Sequence, residues 1–552
     1  MEKRIFIAVV ISIAFLALWS ALVPKFFPEL MKKPAAPVTQ KPQTATTGTS
    51  AVTASTGSGE LKPAAAQSAK PAAIVSAHLA PVSENALRET VVDTPEFVAT
   101  FSNRGAELIS FRLKQYTTAD KQRVELVKAR EPNRTDFPFA IEAKDPELSK
   151  RINSALFAVS EREEGGAHLV EYHYSDGNVA VTKTFRISPA YQFEFTVNMT
   201  PATPYRVAIG PGIRTLAADE RDSQFIVTGN GVAQTEGKLK VLRREKGDRV
   251  NIYDNAQFVG IEDNYFLTAI KPIKSGQAVI RRVDLLNGKE VRKELYASVN
   301  AAPDGTLTGQ AFFGPKQTKI LEGYGLDSTL QFGFFGFIGR ILLEVLIWIN
   351  KTTKNYGFAI IVLTVIIKIV LYPLQHKSIV SMKKMQKVQP KVEAIKSRYK
   401  KARTDAEQRQ KMNVEMMKLY QQEGINPMGG CLPMVLQLPI LWGFYGLLSR
   451  AIELRGAPFL LWIHDLSAKD PYYVTPILMT ITMFLQQALT PTTGDAAQRR
   501  MFLIMPLVFG WIFKEFPSGL VLYWLVQNVL TIVQQMIMNK YWKDHPAVLK
   551  TA

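Results

Sequence analysis

The sequence predicts a multi-domain membrane protein: six transmembrane α-helices, an all-β domain outside the cytoplasm and a cytoplasmic helical hairpin. Three observations carry this. Apolar runs long enough to cross about 30 Å of hydrocarbon recur along the chain. A central stretch of ordinary soluble composition alternates apolar and polar residues with the period of a strand. A strongly basic segment sits between two apolar runs and fixes the orientation.

The elements follow in chain order. Ile5 to Val23 is an apolar run behind Lys3 and Arg4, read as a signal peptide or a signal anchor. Trp19 and the poor cleavage match at Ser20-Ala21-Leu22 favour an uncleaved anchor over residues 1–23. Residues 24–82 are rich in Pro, Ala, Ser and Thr and read as a disordered tether. Residues 83–330 form the β domain. Tyr191, Phe193, Phe195, Val197 and Met199 alternate with polar neighbours, and Val179, Val181, Phe185 and Ile187 do the same behind the turn signal Asp176-Gly177. Repeated short runs of this kind suggest a sandwich.

Residues 331–350 are apolar enough to span. Ile338, Ile341, Leu342, Val345 and Ile349 nevertheless fall on one helical face, with Arg340 and Glu344 on another, so the segment is expected to lie in the interface. The core, residues 351–542, carries spans near 356–374, 429–448, 473–489, 501–516 and 520–538. Between the first two of these, residues 375–428 hold thirteen Lys and Arg side chains, among them Lys384, Lys391, Lys396 and Arg398. The positive-inside rule puts this loop in the cytoplasm. An interfacial 331–350 segment is required for that outcome, and both termini then face the cytoplasm, including the short tail 543–552. Met385, Val388, Val392, Ile395 and Tyr399, then Met412, Met416 and Leu419, repeat at 3-4 spacing, which predicts an antiparallel hairpin. Its basic face suits anionic lipid or a cytosolic partner such as the ribosome.

Composition narrows the function. The formal charge is +19, but it is concentrated in that loop and no nucleic-acid reading motif accompanies it. One cysteine, Cys431, and six scattered histidines make neither a disulfide nor a metal cluster, and no cofactor motif is present. A transporter would show paired intramembrane charges or repeated halves, and a carbohydrate enzyme would show clustered carboxylates or histidines in the β domain. Neither pattern is seen.

The candidate site is Lys368. It lies within the second span, in a stripe with Thr364 and Tyr372 at four-residue spacing. A lysine at a span centre costs about 2.5–3.5 kcal/mol. It either snorkels to cytoplasmic headgroups past Pro373 or serves a wet intramembrane cavity with Gln437, Gln486, Gln487, Gln527 and Asn528. No acidic residue in spans two to four neutralises it, so the second reading favours an anionic visitor.

Several segments resemble the YidC family of membrane protein insertases, relatives of the Oxa and Alb proteins. They are Leu371-Tyr372-Pro373-Leu374, Gln389-Pro390-Lys391, Asn426 to Pro433, Gln437-Leu438-Pro439, Phe516 to Tyr523 and, early on, Ala99 to Ala106. The resemblance implies a five-helix insertase core behind the N-terminal anchor, a periplasmic β supersandwich and residence in the bacterial inner membrane. It further implies a groove open to cytoplasm and lipid, with its positive charge at Lys368, where members commonly carry arginine. Thr364 and Gln437 map to the groove's polar lining; Tyr523, Trp524 and Leu438 map to client contacts. The implied activity is insertion and folding of small membrane proteins, alone or with the Sec translocon and its accessory subunits. Ribosomes and membrane lipids are further implied partners. No cofactor, metal or catalytic residue is implied.

Overall fold

The computed structural model describes residues 79–544, apart from 119, 129–136, 215, 217–226, 228, 245–249, 288–289, 400–404, 426–431 and 490–495. The expected anchor (1–23), nearly all of the tether (24–82), the motif residues Asn426 to Cys431 and most of the tail (543–552) lie outside the described residues.

The central region is a two-sheet antiparallel structure. A four-stranded sheet (Glu89–Asp93, Phe97–Ser102, Glu107–Thr117, Arg123–Glu125) lies against a 13-stranded sheet. Phenylalanines from both meet in one core: Phe101 packs on Phe185 at 4.7 Å between centroids, and Phe111 on Phe313 at 5.2 Å. The strand expected around Tyr191 to Met199 is Gln192–Thr200. It sends Phe193, Phe195, Val197 and Met199 inward and pairs with Ala180–Ile187 and Thr306–Pro315. The turn signal is realised too, with the Asp176 carboxylate accepting from the amides of Asn178 (2.9 Å) and Val179 (2.8 Å). Two short helices, α1 (Pro146–Ser154) and α2 (Thr318–Tyr324), complete the domain.

Several charged groups inside this core are paired. Lys183 stands in register between inward-facing Val181 and Phe185 and is fully buried. Its ammonium donates to the carbonyls of Gly105 (2.5 Å) and Phe139 (2.7 Å). Burial pulls it down to about 8, with Glu107 pushing the other way. Buried Arg214 is ion-paired with buried Asp263, whose other oxygen accepts from the amides of Tyr265 and Phe266.

The C-terminal half is helical: α3 (Gly336–Thr353), α4 (Tyr356–Arg398), α5 (Ala406–Gln422), α6 (Leu432–Leu448), α7 (Val474–Leu489), α8 (Ala496–Phe513) and α9 (Ser518–Asp544). Its surface is apolar where a soluble protein's would be polar. Ile369 and Val370 on α4, Ile481 on α7, Leu507 and Trp511 on α8 and Ile537 on α9 are all more than half exposed, a pattern that suits lipid rather than water. Two helices, Tyr356–Arg398 and Ser518–Tyr541, are long and apolar enough to cross a bilayer; Val435–Leu448, Val474–Leu489 and Leu503–Phe513 are shorter apolar helices.

One expectation is corrected, in α3. The helix that holds the expected second span, α4, runs 43 residues without a break, through Pro373 and Pro390, into the first arm of the hairpin. Both prolines stand on the exposed side of the helix, where each ring removes one backbone bond without a packing conflict. In α3 the packed face is Gly339, Leu342, Leu343, Leu346 and Ile349, whereas Ile341 is exposed together with Phe337 and Trp348. The helix thus has two apolar faces, one on the core and one outward, and a narrow charged strip with Arg340 and Glu344. Gly446 makes the docking close: a Cβ there would come within 2.0 Å of the Phe332 carbonyl.

The hairpin arms are antiparallel, as Lys391–Glu423 (2.5 Å) and Arg398–Glu415 (2.8 Å) bridge them with opposite progression. Met385, Val388 and Val392 pack against Met416, Leu419 and Ile425, and the Asp405 carboxylate caps α5 by accepting from the Glu407 amide at 2.9 Å.

Residues 449–473 tie one end of the helical core to the β domain. Ile452 enters the β-domain core. Asn264 donates to the Ser449 carbonyl at 2.7 Å, and the Arg455 guanidinium covers Tyr265 and Phe266. The same segment holds the first residues of α4 through Asn355 Nδ2 to the Phe459 carbonyl (3.0 Å), of α7 through Asp470 to Thr475 (2.7 Å), and of α9 through the Ser518 amide to the Ala468 carbonyl (2.7 Å).

Candidate functional site

Lys368 is placed by α4, whose start is set by Asn355: its side chain accepts from the amides of Gly357 (2.8 Å) and Phe358 (3.2 Å). Twelve residues on, at 1.5 Å per residue, Lys368 lies about 18 Å down the helix, well inside a hydrocarbon layer of about 30 Å. It is 8% exposed. Its ammonium donates to the Thr531 hydroxyl of α9 at 2.8 Å, and that hydroxyl donates to the Gln527 carbonyl at 2.7 Å. Among the described residues no carboxylate pairs with it. Lys368 is therefore a buried cation whose near partner is neutral, an arrangement that attracts a negative charge when one can reach it.

The expected stripe divides. Thr364 is fully buried, its hydroxyl donating to the Ile360 carbonyl at 2.6 Å, while Tyr372 is about half exposed and lies over His376. About two turns of α9 nearer the β domain, Gln437 of α6 donates from Nε2 to the Tyr523 hydroxyl. Tyr523 is fully buried and stacked on Phe444 at 4.3 Å. Its neighbour Trp524 is half-buried, near Phe509 and Phe513 of α8, with an indole N–H that has no acceptor among the described residues. Leu438 is half-buried on α6. The structure thus joins Lys368 to α9 and Gln437 to Tyr523, in two layers on one helix. In the hairpin, Lys391 and Arg398 are spent on arm-to-arm ion pairs, Lys396 is exposed and Lys384 half-buried.

Sequence reasoning missed Thr531, Gln534 and Gln375. Gln375 and Gln534 are 6% and 8% exposed, on the helices that carry Lys368 and Thr531. The signal was available: Gln527, Thr531 and Gln534 are spaced four and three apart in an apolar helix, which marks one polar face. Asn528 points elsewhere, donating to the Thr482 hydroxyl of α7 at 3.3 Å. On the hairpin side of this polar patch, Ile379 and Met538 close on each other with Val380 and Met382.

Comparison with known proteins agrees with this architecture. The family described as 60Kd inner membrane protein matches residues 348–545, and the YidC periplasmic domain matches residues 89–345. The membrane protein insertase YidC of Citrifermentans bemidjiense is 36% identical over 99% of this chain and 100% of its own length. That of Geobacter metallireducens is 36% identical over 98% of each. A crystal structure of an active YidC insertase with its first transmembrane domain resolved aligns at a TM-score of 0.36 and 19% identity, over 82% of this chain and 94% of that one. The chain belongs to the YidC family of membrane protein insertases, as an inner-membrane member with a periplasmic β-rich domain and a helical membrane core.

Proposed function

We propose that this protein inserts client membrane proteins by admitting a short hydrophilic segment of the client beside Lys368, in a polar groove among α4, α6 and α9. The observation that carries this reading is the ammonium of Lys368, buried within α4 and held, among the described residues, by a neutral hydroxyl alone. A buried cation without a counter-ion costs stability, and that cost is offset when a client carboxylate arrives. At about 4 Å and an effective dielectric of 20, one such contact is worth about 4 kcal/mol. Thr364, Gln437 and Tyr523 line the approach, and Trp524 and Leu438 are contacts for the client's apolar helix as it moves into lipid. Burial of that helix in hydrocarbon drives the step.

The sidedness of the core supports six spans with both termini in the cytoplasm. The first residues of α4, α7 and α9 and the end of α6 gather at the 449–473 segment, on the β-domain side. Five helices from α4 onward, leaving out the hairpin arm α5, then run alternately away from and toward that side, and the basic hairpin falls opposite. An N-terminal anchor supplies the sixth. α3 remains an interfacial helix, with one apolar face on the core and its charged strip outward. Its basic hairpin, with Lys384 and Lys396, suits anionic lipid and ribosomes, and the Sec translocon with its accessory subunits is the partner for larger clients.

The test is replacement in cells depleted of the protein, following insertion of a single-span client with an acidic tail. Lys368→Arg is expected to restore insertion because it keeps the charge, and Lys368→Ala to lose it. Full insertion with Lys368→Ala, at equal protein level, refutes the proposal.

A further inference from the structure

The polar patch around Lys368 holds more unmet hydrogen-bonding capacity than a cation site needs. Among the described residues, Gln534 has neither its Nε2 nor its Oε1 partnered, and the Oε1 atoms of Gln375 and Gln527 are buried without a donor. Gln375 and Gln534 are more than nine-tenths buried. Buried amides are normally satisfied, so each unpaired one points to a group that is meant to arrive.

Their direction is fixed by neighbours that do make contacts. At 100° per residue, measured from Thr531, Met538 lies about 20° round α9, Gln527 about 40°, Gln534 about 60° and Tyr523 about 80°, all on the same side. Thr531 and Met538 touch α4, and Tyr523 touches α6. Gln527 and Gln534 therefore occupy the sector between α4 and α6. On α4, Gln375 lies about 20° from the direction of Lys368, about 10.5 Å toward the hairpin. Gln375 and Gln534 thus continue the line of Lys368 toward the Ile379–Met538 contact, and Gln527, four residues before Thr531, extends it about 6 Å the other way.

We propose that these three glutamines bind the client's main chain. A carboxamide presents a donor and an acceptor side by side, matching the C=O and N–H of an extended peptide. A main-chain amide entering hydrocarbon unpaired is costly whatever its side chain is, so glutamines serve every client sequence, whereas Lys368 serves acidic ones. This rests on the proposed groove and adds its substrate class: an extended, sequence-tolerant backbone segment.

The experiment uses the full-length protein in proteoliposomes and three clients that differ only in the translocated tail: Ser/Gly, Ser/Gly with aspartates, and Pro-rich. A proline tail has no backbone N–H to offer the glutamine oxygens. Gln534→Leu and, separately, Gln375→Leu are expected to slow the Ser/Gly and aspartate tails alike, roughly two- to tenfold. The Pro-rich tail keeps its C=O acceptors but has no N–H to pair, so it should be slowed less than the other two, and its insertion also shows that the variants fold. Unchanged rates on the Ser/Gly tail overturn the inference, and so does equal slowing of all three tails. Lys368→Met is run beside them. If it spares the aspartate tail while the glutamine variants behave as expected, the electrostatic reading falls and main-chain binding stands.

Discussion

Reversing the charge at position 368 should invert the client preference. In Lys368→Glu the new carboxylate faces the Thr531 hydroxyl, which now donates to Gln527 and can turn to donate to the carboxylate, so the α4–α9 contact keeps a polar pairing. For the client the change is large. An aspartate that gained about 4 kcal/mol at 4 Å and an effective dielectric of 20 now meets repulsion of similar size. It can avoid that by taking up a proton, which at pH 7 costs about 4 kcal/mol for a carboxyl titrating near 4. The full swing is about 8 kcal/mol, and water entering with the client screens it. A surviving 2–4 kcal/mol corresponds to roughly 30- to 900-fold in rate. The assay is the initial insertion rate in proteoliposomes for tails bearing aspartate, lysine or serine. The wild type should rank aspartate first and lysine last; Lys368→Glu should reverse that order, with the serine tail reporting any packing damage. If both proteins rank the tails identically, Lys368 does not act through its charge.

Three further outcomes concern the scaffold. Arg214→Met leaves Asp263 buried without its cation and should cost about 3–5 kcal/mol, read by pulse proteolysis of the β domain; adding Asp263→Asn should recover part, because the asparagine oxygen can still accept from Tyr265 and Phe266. Lys183 titrates near 8 in the folded domain and near 10.4 when unfolded, so between these values the unfolded state binds more protons and stability should rise with pH by up to about 3 kcal/mol; Lys183→Met should abolish that slope when proteolysis is followed from pH 7.5 to 9.5. Gly446→Leu places atoms where the Phe332 carbonyl now lies and should loosen α3 by about 1–3 kcal/mol, seen as faster cleavage around residues 331–336 at unchanged cleavage of the β domain.

Much of the fold was legible because periodicity reports burial. The strand Gln192–Thr200 reads directly as alternating aromatics, and the hairpin seam as 3-4 spacing. What periodicity cannot report is which of two apolar faces packs. In α3, Ile341 and Leu342 are equally apolar, yet one is exposed and the core takes the other. The two prolines inside α4 make a related point: the rule that proline ends a helix assumes that the ring must pack and the lost bond must be replaced, and at Pro373 and Pro390 the exposed side of α4 relaxes the first demand. Lys183 was hidden because a lysine in an alternating strand is normally assigned to the wet face, and here the carbonyls of Gly105 and Phe139 substitute for water.

The site divides along similar lines. A lysine in an apolar run is conspicuous because its transfer cost is high, so Lys368 could be found without any structure. Thr531 and Gln534 are cheaper to bury and pass as ordinary helix–helix glue; only the contact from Lys368 to Thr531 gives them a direction. That contact also bears on the departure from arginine. A guanidinium has five N–H donors in a rigid plane, which one threonine hydroxyl does not begin to satisfy, whereas an ammonium on a flexible stem needs fewer and can rotate them. With a neutral threonine opposite, and amides beside it that have no partner among the described residues, position 368 suits a point charge, and in the proposed groove that charge would swing between α9 and a client.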